Sequence, residues 1–244
     1  MMQTGPIGRL PLLPLLGSAL VIAASVAAES PRPESLDAQK ILDRMAKVYA
    51  NCTSYRDSGT VNTLFIGPRG NRTVEKPFTT AFLRPDRFRF EYKEKRSMGR
   101  EPQYIVWRQG SDVRVFTDLR PGNDKAVSLE LAVAGAAGVS SGSAHKIPSL
   151  LLPELGGRRL TDLTEAHRTD DAKTGEADCF RIEGKYADSP VTLWIDKASF
   201  LVRRVDMYHD LGNDLHTEET TTYEPVVDGE VTAEMLAFHP PAAH

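Results

Sequence analysis

Apolar residues first fall into a clear pattern after residue 40. Ile41, Leu42, Met45, Val48 and Tyr49 recur at the spacing of one helical face, which predicts an amphipathic helix within 35–52. Ser35 is placed to act as its N-cap, and Asp37 suits the first turn. Beyond Cys52 the period changes to two. Val61, Thr63 and Phe65 alternate with Asn62 and Leu64, and "GPRGN" at 67–71 reads as a turn. Phe78, Thr80 and Phe82 share a face of the next strand, and "RPD" at 84–86 turns the chain again. In "RFRFEYK", Phe88, Phe90 and Tyr92 alternate with Arg87, Arg89 and Glu91, the cleanest half-buried strand of the chain. "YIVWRQG" and "DVRVFTD" pair about Gln109-Gly110.

The β pattern stops at 119–125, and residues 127–138 read as helical from their Ala and Leu content, weakened by glycine. Strands resume at 159–168 and in "DCFRIEGKY". "PVTLWIDK" and "FLVRRVDMY" form a hairpin about Lys197-Ala198-Ser199, and "LHTEETTTYEP" returns across "LGND" at 211–214. A short helical turn in "AEMLAFHPP" precedes two prolines. Short strands joined by tight turns predict an antiparallel meander, and a meander of this length curls towards a barrel. The fold class is mainly β with α, and residues 29–244 are expected to form one domain, with neither an internal repeat nor a long linker.

Composition adds an address. Arg9 precedes an uncharged apolar run over 10–28 that ends in small residues, with Val26 and Ala28 at the −3 and −1 positions. Residues 1–28 therefore read as a secretory signal peptide cleaved near Ala28, which makes the protein periplasmic or secreted. A net charge of −3 gives no basic field for nucleic acid. Two cysteines in an oxidising compartment, Cys52 and Cys179, are expected to pair as a disulfide. No dinucleotide, P-loop or zinc motif is present, so neither cofactor nor metal is expected. Asp206, His209, Asp210, Asp214, His216 and Glu218 crowd together around the "LGND" turn, but at no standard metal-ligand spacing.

The segment "GVSSGSAHKIPSLLLPEL" at 138–155 raises two chemical readings. Gly138-Val139-Ser140-Ser141-Gly142 fits the G-x-S-x-G of a serine hydrolase, with Ser140 as nucleophile. That elbow needs a strand running into the serine within an α/β sheet, whereas the approach here is helix-like and the sheet antiparallel. The other reading is a flap. Leu150, Leu151 and Leu152 lie between Pro148 and Pro153 in an apolar insertion, placed to plug or cover the hollow of a curled sheet. Arg203 and Arg204 sit mid-strand on opposite faces, so one of them should point inwards, as a ligand head-group anchor or a latch for the lid.

"FLRPDRFRFEY" (82–92) resembles the strand turn of the LolA-like superfamily of periplasmic lipoprotein carriers. "VTLWIDKASFLVRRV" (191–205) is similar to that superfamily's hairpin, and Phe238-His239-Pro240-Pro241 to its C-terminal motif. The likeness points in particular to a branch of predicted periplasmic proteins of unknown function. It implies a strongly curved antiparallel sheet, an open half-barrel, with helices across the concave face. It also implies a cavity for acyl chains, and neither catalysis nor a metal. The expectation is an exported, non-enzymatic carrier of a lipid or other hydrophobic ligand, with Phe78, Phe82, Phe88, Phe90, Leu150, Leu151 and Leu152 lining the cavity. The alternative is an envelope protein-interaction or sensor module on the same fold, and the remote alternative a hydrolase at Ser140.

Overall fold

The computed structural model describes residues 1–2, 36–95, 101–118 and 120–240. Residues 3–28 of the expected signal peptide and Ser35 lie outside the described residues, and the N-cap role expected of Ser35 falls to Asp37. A compact unit begins at Leu36 and contains every helix and strand named below.

The first helix, α1 (Ala38–Asn51), is capped by Asp37, whose side chain accepts from the Lys40 N–H at 2.8 Å. It buries Ile41, Leu42, Met45 and Tyr49, the face that the spacing predicts. Six strands come next: β1 (Ser54–Ile66), β2 (Arg72–Leu83), β3 (Arg87–Lys93), β4 (Gln103–Gln109), β5 (Asp112–Thr117) and β6 (Arg120–Lys125). The chain then forms α2 (Leu129–Val139), α3 (Ser143–Lys146) and α4 (Pro148–Leu151). A second strand group completes it: β7 (Thr164–Arg168), β8 (Ala172–Thr174), β9 (Ala177–Tyr186), β10 (Ser189–Asp196), β11 (Val202–Gly212), β12 (Leu215–Tyr223) and the short β13 (Val226–Val227). The strand β6 corrects the expectation that pairing stops at 119.

The described strands form one thirteen-stranded sheet in the order β6-β5-β4-β3-β2-β1-β12-β11-β10-β9-β7, with β13 on β1 and β8 on β9. Two antiparallel meanders are thus joined where β1 pairs β12, Val61 opposite Thr221. The end strands β6 and β7 do not pair, so the sheet is an open half-barrel rather than a closed barrel. Strand alternation sorts its residues. Tyr55, Asp57, Val61, Phe78, Phe82, Phe88, Phe90, Val106, Ile182, Leu193 and Val205 face inwards, where α1 and residues 129–155 cover them. Gly59 leaves room there: a Cβ would lie 2.3 Å from the Phe78 ring and 2.4 Å from the Thr222 carbonyl.

The outer face carries a second, smaller apolar layer. Ile105 and Phe116 are buried there, and the C-terminal segment crosses that face with a 3₁₀ turn (Glu234–Leu236) that buries Leu236. Trp107 donates its indole N–H to the Leu236 carbonyl at 2.7 Å and packs against Phe238 with the two rings tilted by 42°. The C-terminal aromatic of the resemblance is therefore a strap on the back of the sheet.

The expected disulfide is not formed: Cys52 and Cys179 are both free and buried. Cys52 ends α1 within the main core, whereas Cys179, opposite Asp196, lies on the other face of β9 from Phe180 and Ile182 and outside that core. Counting cysteines takes no account of strand alternation, which turns this pair apart. Burial pushes both thiols up to about 11. At pH 8 the native protein should therefore react with a thiol reagent about a hundredfold more slowly than free cysteine. Unfolding without reductant should release both thiols, and recovery of neither would show that they are oxidised to each other.

Candidate functional site

The insertion 128–155 is a plug in the half-barrel. Ser128 caps α2, its hydroxyl accepting from the Leu131 N–H at 3.2 Å. Val133, Ala136, Ala144, Ile147, Leu150, Leu151, Leu152 and Leu155 all join the core that contains Phe78, Phe82, Phe88 and Phe90. All seven residues expected to line the cavity thus belong to one buried core. In this conformation they fill the hollow themselves: of the seven, Phe78 alone borders one of the two larger depressions described, and both depressions open on the outer side of the sheet.

Polar groups hold the plug's edges. Arg84 clamps the bottom, donating to the carbonyls of Cys52 (2.8 Å) and Ala50 (2.6 Å) at the end of α1 and to Leu151 of α4 (3.4 Å). The arginine of "FLRPD" therefore ties α1, β2 and the plug into one joint. Arg108 forms an ion pair with Glu154 beside it. At the far edge two lysines converge on the turn between α2 and α3. Lys76 donates to the Val139 carbonyl (2.9 Å) and to Ser141 Oγ (3.2 Å). Lys146 donates to the Ser141 carbonyl (3.0 Å), to Glu219 Oε1 (2.6 Å) and to Thr221 Oγ1 (3.4 Å). The Lys146–Glu219 pair is buried, with side-chain exposures of 4% and 7%.

The two arginines expected to serve as anchor or latch face the other way. Arg203 pairs with Asp196 at 3.4 Å, and Arg204 Nε donates to Asp206 Oδ1 at 2.7 Å with its guanidinium over Trp194. A register shift next to Ile195 is the reason: Trp194 pairs Arg204 and Ile195 pairs Val202, leaving Arg203 as the extra residue of a bulge. The latch is made by lysines instead. Reading the two-residue period back from Phe78 places Lys76 inwards, and reading it back from Tyr223 places Glu219 inwards, so strand parity carries the signal for both.

A second polar group sits deep in the hollow. Asp57 is buried and accepts from the Tyr55 hydroxyl at 2.8 Å. Its other oxygen, the Thr80 hydroxyl and the Tyr223 hydroxyl have no partner at hydrogen-bond distance among the described residues. Burial raises Asp57 to about 6, against the weaker opposing pull of the Tyr55 hydroxyl. It also drives the Tyr55 and Tyr223 phenols well above their ordinary range.

Ser140 has the wrong surroundings for a nucleophile elbow. A helix, α2, runs into it, it is fully buried, and its hydroxyl accepts from the Ala144 N–H at 3.3 Å. His145, the nearest histidine in sequence, is bonded to the Gly156 carbonyl at 2.8 Å. The Asp206–Glu218 region is a hairpin: Asp210 accepts from the Gly212 N–H, and His209 is bonded to Ser189. No three-residue metal cluster occurs among the described residues, and none of their helices is long and apolar enough to cross a membrane.

The outer face holds an open trough of about 890 Å³. Its floor is Ser58, Thr60, Thr79 and Thr222, flanked by Glu91 and Lys93 on one side and by Asp196, Arg203 and the β8–β9 turn on the other.

No protein-family profile and no curated protein matches the chain. Solved structures do. A LolA superfamily protein from Nitrosomonas europaea is 12% identical at a TM-score of 0.31, over 84% of this chain and 99% of that one. A DUF1329 family protein from Desulfovibrio piger is 11% identical at 0.37, over 82% and 95%. MucB in the Pseudomonas aeruginosa MucA/MucB complex is 8% identical at 0.44, over 83% of this chain and 61% of that one. A protein of the superfamily that the sequence motifs resemble is thus among the structures matched. Likeness at this level concerns the fold and says nothing of ligand or partner.

Proposed function

We propose that the protein is an exported, non-enzymatic binder of an acyl-chain ligand, with the inserted helices as a displaceable plug. The observation that carries this reading is the composition of the plug and its seam. Its inner side is aliphatic and lies on an aromatic floor, while its rim is fastened by a small set of polar contacts at Arg84, Lys76 and Lys146. Burial of each methylene contributes about 0.8 kcal/mol, so a chain of roughly a dozen contributes about 10 kcal/mol. That matches the burial which four side chains such as Ile147, Leu150, Leu151 and Leu152 give up on leaving, at about 1.5–3 kcal/mol each. One long chain is thus enough to exchange with the plug, and the sheet needs no preformed void. Lipid extraction and mass spectrometry of the protein isolated from its exported compartment should recover an acyl lipid at near-stoichiometric amount. Recovery of none would count decisively against the reading.

A second reading, an envelope protein-interaction module, draws support from the outer trough, which is open while the hollow is full. It predicts a partner that co-purifies and is lost on Arg203→Glu.

A further inference from the structure

Among the described residues, the plug's far seam has one more ammonium than it has carboxylates in contact. Lys146 is matched by Glu219 at 2.6 Å. Lys76 has as its hydrogen-bond partners a carbonyl and a hydroxyl, both neutral and both on the plug. Its nearest acidic influences, Glu94 and Glu219, act without an ion-pair contact, and Arg72 adds like charge, while burial lowers its pKa. The two lysines meet at a single residue: Lys76 holds the hydroxyl of Ser141, and Lys146 holds its carbonyl.

Ser141 is a strained occupant of that place. Its φ is +54°, a left-handed conformation adopted without the freedom of glycine, and Gly142 follows at +75°. A carboxylate or phosphate oxygen would be a better partner for Lys76 than either neutral acceptor, because charge-assisted hydrogen bonds are roughly twice as strong. Along the inward face of β2, Lys76 is followed by Phe78, Thr80 and Phe82, with Phe90 and Phe88 beside them on β3. From Lys76 to Phe82 the strand offers about 20 Å of this floor.

We propose that the Lys76–Lys146 seam is an anion site, and that the ligand of the concave face is an anionic amphiphile. Its head group displaces the Ser141 turn from Lys76, and its tail runs down the aromatic floor in place of the plug. This inference rests on the acyl-binding reading and specifies which acyl compounds it covers. Both a fatty acid carboxylate and a phospholipid phosphate supply the required chemistry.

The test compares the fluorescent fatty acid cis-parinaric acid with its methyl ester, using the full mature chain, alongside a monoacyl phosphate and inorganic phosphate. Wild-type protein should bind the acid at least about tenfold more tightly than the ester. Lys76→Gln should abolish that preference, acid and ester then binding alike whatever common change the loosened latch makes in both affinities, and Lys76→Arg should retain it. The monoacyl phosphate should compete with the acid at micromolar concentration, and inorganic phosphate should not at millimolar. Equal affinity of wild type for acid and ester overturns the anion site but leaves acyl binding standing. Failure of both to bind overturns acyl binding and this inference with it. Protection by inorganic phosphate alone, lost in Lys76→Gln, would keep an anion site and overturn the amphiphile as its source. Circular dichroism of each variant establishes that a lost preference is not a lost fold.

Discussion

Replacing Glu219 with Gln should cost about 3–5 kcal/mol of folding stability. The reason is the charge left behind. Lys146 is 4% exposed, and its remaining acceptors would be the Ser141 carbonyl, the Thr221 hydroxyl and a neutral amide. An ammonium without a countercharge in that setting loses most of what offsets its desolvation. Lys146→Met should likewise destabilise, because it leaves Glu219, 7% exposed, without its countercharge. The double variant Lys146→Met/Glu219→Leu should recover most of the stability or exceed wild type, since replacing a buried pair by apolar groups of similar size is often neutral or favourable. Urea unfolding of the two singles and the double gives the coupling energy directly. A loss below about 1 kcal/mol for Glu219→Gln would mean that water reaches the pair and that the plug is not sealed at this edge.

The half-barrel was legible because its strands alternate cleanly. "RFRFEYK" fixes the parity of β3, and through Phe78, Phe82 and the "RPD" turn it fixes that of β2. The plug was legible as an apolar insertion, and its leucines share one buried core with Phe78, Phe82, Phe88 and Phe90. What stayed hidden has specific causes. β6 is "RPGNDK", a strand held by backbone pairing to β5 and lacking any apolar period. Lys76 and Glu219 are charged residues on inward faces that also carry Phe78, Thr80 and Phe82 on β2 and Thr217, Thr221 and Tyr223 on β12, so parity and not composition reveals them.

Arg203 defeated parity itself. The bulge gives Val202 and Val205 the same face with two residues between them, so neither arginine reaches the hollow. Cys179 shows the opposite failure: the parity of its strand turns it away from the core, and an even cysteine count is blind to parity. Sequence periodicity thus reports the sheet wherever it is regular, and the site is built where regular alternation carries the unexpected residue type.

Asp57→Asn should make the protein more stable at pH 7.5, by about 3 kcal/mol. In the fold Asp57 titrates at about 6, compared with 3.8 for an ordinary aspartate, because burial disfavours its charge. A carboxyl raised in this way favours the folded state fully below its unfolded value near 4. That advantage is lost as pH rises through 6, so above 6 the folded state carries an ionised group in an apolar surround. Asn is neutral at every pH, still accepts from the Tyr55 hydroxyl, and brings an N–H for the unpartnered oxygens of Thr80 or Tyr223. Other carboxyls slope the opposite way: Asp196 is lowered by the Ser199 and Ala198 N–H groups and by Arg203, and Asp171 by Arg168 and Lys197. The quantity to measure is therefore the difference between variant and wild type in urea unfolding from pH 4 to 8. That difference should be small at pH 4, grow between about 4 and 6, and flatten above 7. A flat difference across the whole range would show that Asp57 is solvated, and with it that the plugged hollow admits water down to its floor.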